Sequence, residues 1–514
     1  MATNPSHFDP TPAMAETARR ANGLPPSRFW LYALWIAMAV GLMAYAQTLA
    51  FTEDEGFHLL AALLIKRGMR PYLDFCFPQT PLNAYWNAFL LRFCGESWRV
   101  PHALASLETS AAMMVAAQFV LTRLPVRTWK VAAAVAACVM IGCNINLVEF
   151  GTLGQAYGLA LFTSVCAFRL ALVAVERRGW WRTFACAIFA GAAAASTLLA
   201  AAAAPVLLLW IVWCNRAGSR WIKTLAFAMG AAIPFAPVFY LGTQSPWVVW
   251  FNVVKYQLAY RTLYWPDPLT HDLDTATAWL ADPQALLLGL LAICGVVYIT
   301  RQPEWSKERR AEFYLSGWLA AGLTTELAFA HPTFGRYFCL ATPFWAAPAA
   351  VGLYAIGSRV VRPDKPLWPV LVVSIIFAGA LTRALCESLT DSYHWKDYET
   401  IAQKLQEVTP AGKVAFTEEE IYFLMRRRPP PGMEFGYSHK LKLSPGELSR
   451  LHITSEDAQK RQLGAGVFAS AATCDHDMVA EYALDTRFQR KTDTHGCSVF
   501  WQPTGTAPEA ATAR

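Results

Sequence analysis

"FTEDEGFHLL", Phe51 to Leu60, sets three consecutive acids directly after an apolar run of about twenty residues, the length that crosses a bilayer. Chains that leave a membrane toward the cytoplasm are flanked by Lys and Arg. An acid run at that point needs another explanation. The whole chain agrees with a membrane reading: of its 514 residues 55% are hydrophobic and only 16% charged, and the mean hydropathy is +0.28. That composition excludes an ordinary soluble domain. The 20 Trp belong to the same class, since Trp gathers at membrane interfaces.

Outward from the acids, apolar runs predict about eleven spans: Phe29 to Leu49, Val100 to Leu121, Val131 to Val148, Leu153 to Val175, Thr183 to Ala200, Ala201 to Cys214, Trp221 to Leu241, Gln284 to Thr300, Phe313 to Ala330, Tyr337 to Gly357, and Leu367 to Cys386. The piece Thr183 to Cys214 reads as a hairpin of two short helices. With the N-terminus cytoplasmic, the basic clusters around Arg19, Arg123, Arg177, Arg216, Lys307 and Arg359 then all fall inside. The same alternation puts the acids and everything after Cys386 outside. The net charge of +7 is accounted for by these clusters, so it carries no nucleic-acid signal. "AYA" at Ala44 to Ala46 resembles a signal-peptidase site, but the apolar run is longer than a usual signal core and its polar lead is long. The first segment is read as retained.

The predicted fold is thus an α-helical polytopic membrane protein with a small C-terminal extracytoplasmic α/β domain. Residues 1–28 form a cytoplasmic disordered tail, 29–388 the membrane domain, 389–505 the outer domain and 506–514 a second disordered tail. Two outer loops, 52–98 and 243–283, are long and aromatic enough to build a site; "PLNAYWNAFLLRFCG" suits a helix lying in the interface. In the outer domain "GKVAF", "GAGVFAS" and "CSVFW" read as strands and "KDYETIAQKLQEV" and "EEEIYFLMRR" as helices. Of the 12 Cys, eight sit in or at the ends of apolar runs. Cys474 and Cys497 are the disulfide candidates, ahead of Cys76 with Cys94. No Cys/His spacing matches a zinc site.

"TEDE" first reads as a helix start. Thr52 as N-cap with Glu55 three residues on makes a capping box, and acids suit the positive end of a helix. Asp54 is left without a structural task. It shares a helix face with His58, four residues on, and a carboxylate partly desolvated at the outer interface is a better base. Glu149, Glu326, His331, Arg336, Arg383 and Glu387 are placed at the same depth by their spans. Ionisable residues there are functional candidates. Arg169 is read as snorkelling and Glu108, deep in the second span, has no assigned role.

The stretch "EDEGFHLLAALLIKRGMRPYLDFCFPQTPLNAYWNAFLLRFCGESWRVPHAL" resembles the first outer loop of the GT-C membrane glycosyltransferases, especially the protein O-mannosyltransferase and lipid A aminoarabinose transferase group. The shared pattern is an Asp-Glu pair after the first span, then "G..PY.DF", then "TPL", then an Arg opening the second span. "GRYFCLATPFWA" resembles their late "RY…P" segment, and "EEEIYFLMRRRPPPG" the outer domain of bacterial relatives. The resemblance implies a glycosyltransferase that moves a hexosyl or pentosyl group from a polyprenyl-phosphate sugar to an acceptor hydroxyl, with inversion. It implies Asp54 as the catalytic acid with Glu55 beside it, and Arg336 at the lipid phosphate. Candidate substrate-binding residues are His58, Glu149, His331, Arg336 and Tyr337. No obligatory cofactor is expected, although a divalent metal is not excluded. Expected partners are the lipid-linked donor, membrane lipids and a glycan, lipid or protein acceptor, in the inner (plasma) membrane. The competing classes are a transporter or flippase for a lipid-linked substrate, which would favour midplane charges and internal symmetry, and a receptor or scaffold.

Overall fold

In a computed structural model the described residues are 28–48, 53–261, 267–360, 366–391 and 394–504. Both expected tails and the Thr52 cap lie outside them, apart from Arg28. Helix lies within the expected spans, but Val131 to Val148 is divided between Lys130–Gly142 and Ile145–Phe150, and Leu153 to Val175 is helical only from Tyr157. Seven helices are long and apolar enough to cross a membrane: Arg28–Ala46, Arg99–Arg123, Tyr157–Glu176, Arg220–Gln244, Pro283–Thr300, Gly335–Val360 and Leu367–Glu387. Lys130–Gly142 and Leu198–Trp213 are apolar but shorter. Trp181–Ser196 has 16 residues, and Lys307–Ala328 opens on a charged turn. The Thr183 to Cys214 piece breaks at Thr197, whose side chain accepts from Leu199 N–H.

Small residues set how close these helices come. A Cβ on Gly352 would lie 1.8 Å from Leu291 O, and one on Gly295 would lie 2.0 Å from Pro348 O. The helices Pro283–Thr300 and Thr342–Val360 therefore touch backbone to backbone, as membrane helices do where dispersion rather than water drives association.

One end of the bundle carries the first outer loop. Helix Glu53–Lys66 is buried from Glu55 to Leu64 rather than lying on a surface. Helix Leu82–Cys94 turns Asn83 and Asn87 inward, where both side-chain amides donate to Gly154 O (3.4 and 2.9 Å), and leaves Phe89 and Phe93 exposed. Trp86 on that helix donates to Glu108 Oε1 at 2.8 Å. The unassigned acid of the second span is thus the partner of an interfacial Trp.

The second outer loop folds over the first. Its π-helix Phe251–Tyr260 lets Asn252 accept Phe77 N–H (3.0 Å), and Gln257 donates to Pro78 O (2.5 Å). Helix Pro268–Ala281 follows, with Asp267 as its N-cap.

The outer domain is a four-stranded sheet, β1 Val414–Phe416, β2 Phe468–Thr473, β3 Phe488–Thr494 and β4 Cys497–Pro503, in the order β1-β2-β4-β3. β1 runs parallel to β2, and β4 is antiparallel to both its neighbours. Strand β3 was not expected, because "FQRKTDT" is an edge strand with mostly charged or polar residues. What identifies it is the turn His495-Gly496, where both residues have positive φ (50° and 75°) as a two-residue hairpin requires. The expected helix "EEEIYFLMRR" is cut to Glu419–Leu424. A disulfide joins Cys474 and Cys497, tying the end of β2 to the start of β4. Cys76 and Cys94 are free thiols, the first buried and the second exposed.

The domain seats on the first outer loop. Trp98 stacks on Trp395 with centroids 4.7 Å apart and donates to Glu399 Oε1 at 2.7 Å. Arg67 donates to Arg426 O at 3.0 Å. Helices Glu53–Lys66 and Glu419–Leu424 meet at Gly56, where an added Cβ would fall 2.3 Å from Glu420 Oε2.

Candidate active site

Between the two outer loops, the end of the bundle and the outer domain lies a cavity of about 570 Å³. Asp54 and His58 enter it from one face of helix Glu53–Lys66. Arg336 and Tyr337 enter from the Gly335–Ala341 turn and Glu326 from helix Lys307–Ala328. Arg261 comes from the second outer loop, and Phe435, Tyr437 and Lys440 from the outer domain.

Asp54 and Arg336, 282 residues apart, form an ion pair between Oδ2 and a guanidinium nitrogen. Both side chains stay partly exposed, at 32% and 23%. The guanidinium also lies over the Phe334 ring, 4.4 Å from its centroid, and its Nε has no hydrogen-bond partner among the described residues. Tyr337 is buried, and its hydroxyl accepts from Arg261. Glu326 accepts Ala202 N–H at 2.8 Å.

His58, one turn on from Asp54, stacks on Phe57 (4.3 Å) and meets Phe77 edge-on (6.0 Å). Burial pushes its pKa down to about 4 against the opposing pull of Asp54, so the ring is neutral at pH 7. Its Nδ1 has no hydrogen-bond partner among the described residues.

Glu55 departs from expectation. Its carboxylate does not line the cavity, and Thr52, its expected capping partner, lies outside the described residues. It is fully buried, where Oε1 accepts Gly154 N–H at 2.8 Å and pairs with His102 Nε2. His102 Nδ1 in turn is 2.6 Å from Ala46 O, which can only accept, so Nδ1 carries a proton. One residue's rotation about the helix separates the two acids: Asp54 looks into the cavity, and Glu55 pins the end of the first span, the second span and the Gly154 turn together. His102 was legible as an ionisable residue inside an apolar run, but no pattern named its partner.

Four other sequence candidates stand apart from the cavity lining. Glu149 is half-buried on the short helix Ile145–Phe150. His331 is about half exposed and pairs with Asp272. Arg383 and Glu387 pair with each other on an exposed face of the last helix (2.8 Å). Similar depth along parallel helices does not fix the direction a side chain takes around each one. Conversely, Tyr157, Arg261, Tyr437 and Lys440 line the cavity without having been singled out in the sequence. Among the described residues no three His, Cys, Asp or Glu side chains are grouped to hold a metal ion.

No protein-family model matches the chain, and no curated protein matches its sequence. Its fold does match solved structures. ArnT from Cupriavidus metallidurans bound to undecaprenyl phosphate is similar with a TM-score of 0.66 at 13% identity, over 92% of this chain and 98% of that one; the apo state gives 0.64 at 14% over the same shares. The oligosaccharyltransferase AglB from Archaeoglobus fulgidus, in complex with an inhibitory peptide and a dolichol-phosphate, gives 0.52 at 12%, over 87% and 69%. Both are GT-C superfamily members, and this chain has their fold. A further structure of the archaeal enzyme holds zinc and sulfate (TM-score 0.50). Among the described residues no three-ligand set for such an ion is grouped around Asp54. The side chain paired with Asp54 is a guanidinium.

Proposed function

We propose that this chain is a glycosyltransferase of the outer membrane face, moving a sugar from a polyprenyl phosphate to an acceptor hydroxyl with inversion. The observation that carries it is the Asp54–Arg336 pair exposed to one cavity between membrane and outer domain. A lipid-linked sugar phosphate is a singly charged diester that leaves as a phosphate monoester with a second charge developing. Arg336 is placed to take that charge, and a guanidinium fork matches two phosphate oxygens. As the phosphate draws Arg336 toward itself, Asp54 loses its partner and becomes the stronger base. The acceptor O–H gives its proton to Asp54, the oxygen bonds the anomeric carbon, and the carbon–oxygen bond to phosphate breaks with its electron pair going to the phosphate. A single displacement inverts the anomeric configuration. His58, neutral and with an unsatisfied nitrogen, suits hydrogen bonding to a hydroxyl rather than to the phosphate.

Support for the donor class comes from the fold's neighbours, one bound to undecaprenyl phosphate and one to a dolichol-phosphate. On this proposal the N-terminus is cytoplasmic, the outer domain is extracytoplasmic, and the sugar is hexosyl or pentosyl. The acceptor is a glycan, lipid or protein hydroxyl. Incubating the purified protein and a cell-envelope extract with labelled polyprenyl-phosphate sugars tests it. Release of free polyprenyl phosphate with transfer of label is expected; intact donor carried across a vesicle bilayer would make it a transporter instead.

A further inference from the structure

Arg336 stands at the start of the Gly335–Ala341 turn, directly after a connection without regular structure, Phe329 to Phe334. Such a segment needs external fastening to hold a guanidinium in one place. Helix Pro268–Ala281 supplies it. Asp272, only 6% exposed, accepts Thr333 N–H on Oδ1 at 2.5 Å and pairs through Oδ2 with His331 Nδ1. His271 Nε2 lies 3.0 Å from Thr333 O, so consecutive residues of one helix hold the donor and the acceptor of Thr333. Thr333 Oγ1 then donates to Leu327 O (3.0 Å) and Ala328 O (3.1 Å), fastening the same residue to the helix that carries Glu326. Beyond Arg336, Trp279 stacks on Phe338 with centroids 4.1 Å apart and planes within 12°. The helix thus grips the chain on both sides of Arg336.

We infer that Asp272 is a positioning residue for the transfer reaction, acting through Arg336 by holding Thr333 and His331. Its catalytic part rests on the function proposed above. Asp272 does not line the cavity, so it does not touch the substrate. Without it the Thr333 N–H is buried with no acceptor and His331 loses its partner, which loosens the segment that leads into Arg336. Displacing a charge-stabilising group by about 1 Å is enough to cost on the order of 100-fold in rate.

The test has one arm that needs no activity. Reaction of Arg336 with p-hydroxyphenylglyoxal, read by peptide mass spectrometry, should quicken several-fold in Asp272→Ala. It should return toward wild type in Asp272→Asn, which keeps an oxygen for Thr333 N–H. Where Asp272→Ala does not fold, Asp272→Ser, too short to reach Thr333, gives the same comparison. In the transfer assay Asp272→Ala should lower kcat roughly 10- to 100-fold with little change in KM, and should add nothing in an Arg336→Ala background. Unchanged Arg336 reactivity, or a loss that adds fully to that of Arg336→Ala, overturns the inference. If wild type transfers no sugar, the proposed function falls while the arginine probe still decides whether Asp272 positions Arg336.

Discussion

Two helices in this molecule begin with the same run. "EDE" opens Glu53–Lys66 and "EEE", Glu418 to Glu420, opens Glu419–Leu424, and the two helices pack against each other at Gly56. Acids suit the positive end of either helix. Their fates differ because of what faces them. Asp54 meets Arg336 and Glu55 meets His102, each from a distant membrane helix or turn. Glu418 instead accepts from Thr473 Oγ1 (2.5 Å) and Cys474 N–H (3.0 Å), and Glu419 from Gly436 N–H (2.5 Å). Among these bonds there is no cation. Burial pushes Glu418 up to about 7, pushes Glu419 up, and pushes Glu420, pressed on Gly56 beside its neighbouring acids, well above the usual carboxyl range. A run of acids therefore predicts a helix start, and only the partners decide what each acid does.

The comparison breaks hardest at Asp54. Asp54→Asn keeps shape and loses the base, so transfer should fall by about 10²- to 10⁴-fold, with thermal stability near wild type. Steady-state kinetics beside a melting curve checks both halves. Next comes the buried pair on the other face of the same helix. His102→Ala strands Glu55 in the interior and should cost about 3 to 5 kcal/mol of stability, read by thermal unfolding in detergent. Glu55→Gln keeps an acceptor for Gly154 and should cost only about 1 to 3 kcal/mol. Arg336→Ala should lose about 3 kcal/mol of transition-state stabilisation, and Arg336→Lys less. Equal rates for Arg336→Lys and wild type would make Arg336 an interfacial anchor, since Lys snorkels as well.

The smallest effect lies on the other helix and concerns pH. A carboxyl whose pKa is higher folded than unfolded keeps its proton in the fold after the unfolded chain releases it. Stability is then full below 4.5 and falls as pH rises toward about 7 for Glu418, and further up for Glu420. The melting midpoint should drop from pH 5 to pH 8, and Glu420→Gln should flatten that slope at its alkaline end. A steeper slope in Glu420→Gln would mean that Glu420 is ionised and paired.

Much of this was legible in the sequence because it is local. Apolar length located the helical bundle, including the seven helices long and apolar enough to cross a membrane. Alternation and small residues found β1, β2 and β4; β3 escaped because a charged edge strand has no apolar period. In the site, Asp54, His58, Arg336 and Tyr337 were named and do line the cavity. Glu149 and His331 were named and do not. Arg261 and Lys440 were missed because their place depends on how the second outer loop and the outer domain fold over the first, which no spacing encodes. The separate roles of Asp54 and Glu55 depend on His102 and Gly154, brought near only by packing of the spans.

The most direct measurement compares the two acid runs in one assay. Wild type, Asp54→Asn and Glu420→Gln, each reconstituted in lipid, are given a labelled undecaprenyl-phosphate sugar and an envelope extract at pH 7, and released undecaprenyl phosphate is followed. Release by wild type and Glu420→Gln at comparable rates, with none from Asp54→Asn although it still binds undecaprenyl phosphate, is the predicted result. Wild-type release from Asp54→Asn would contradict it.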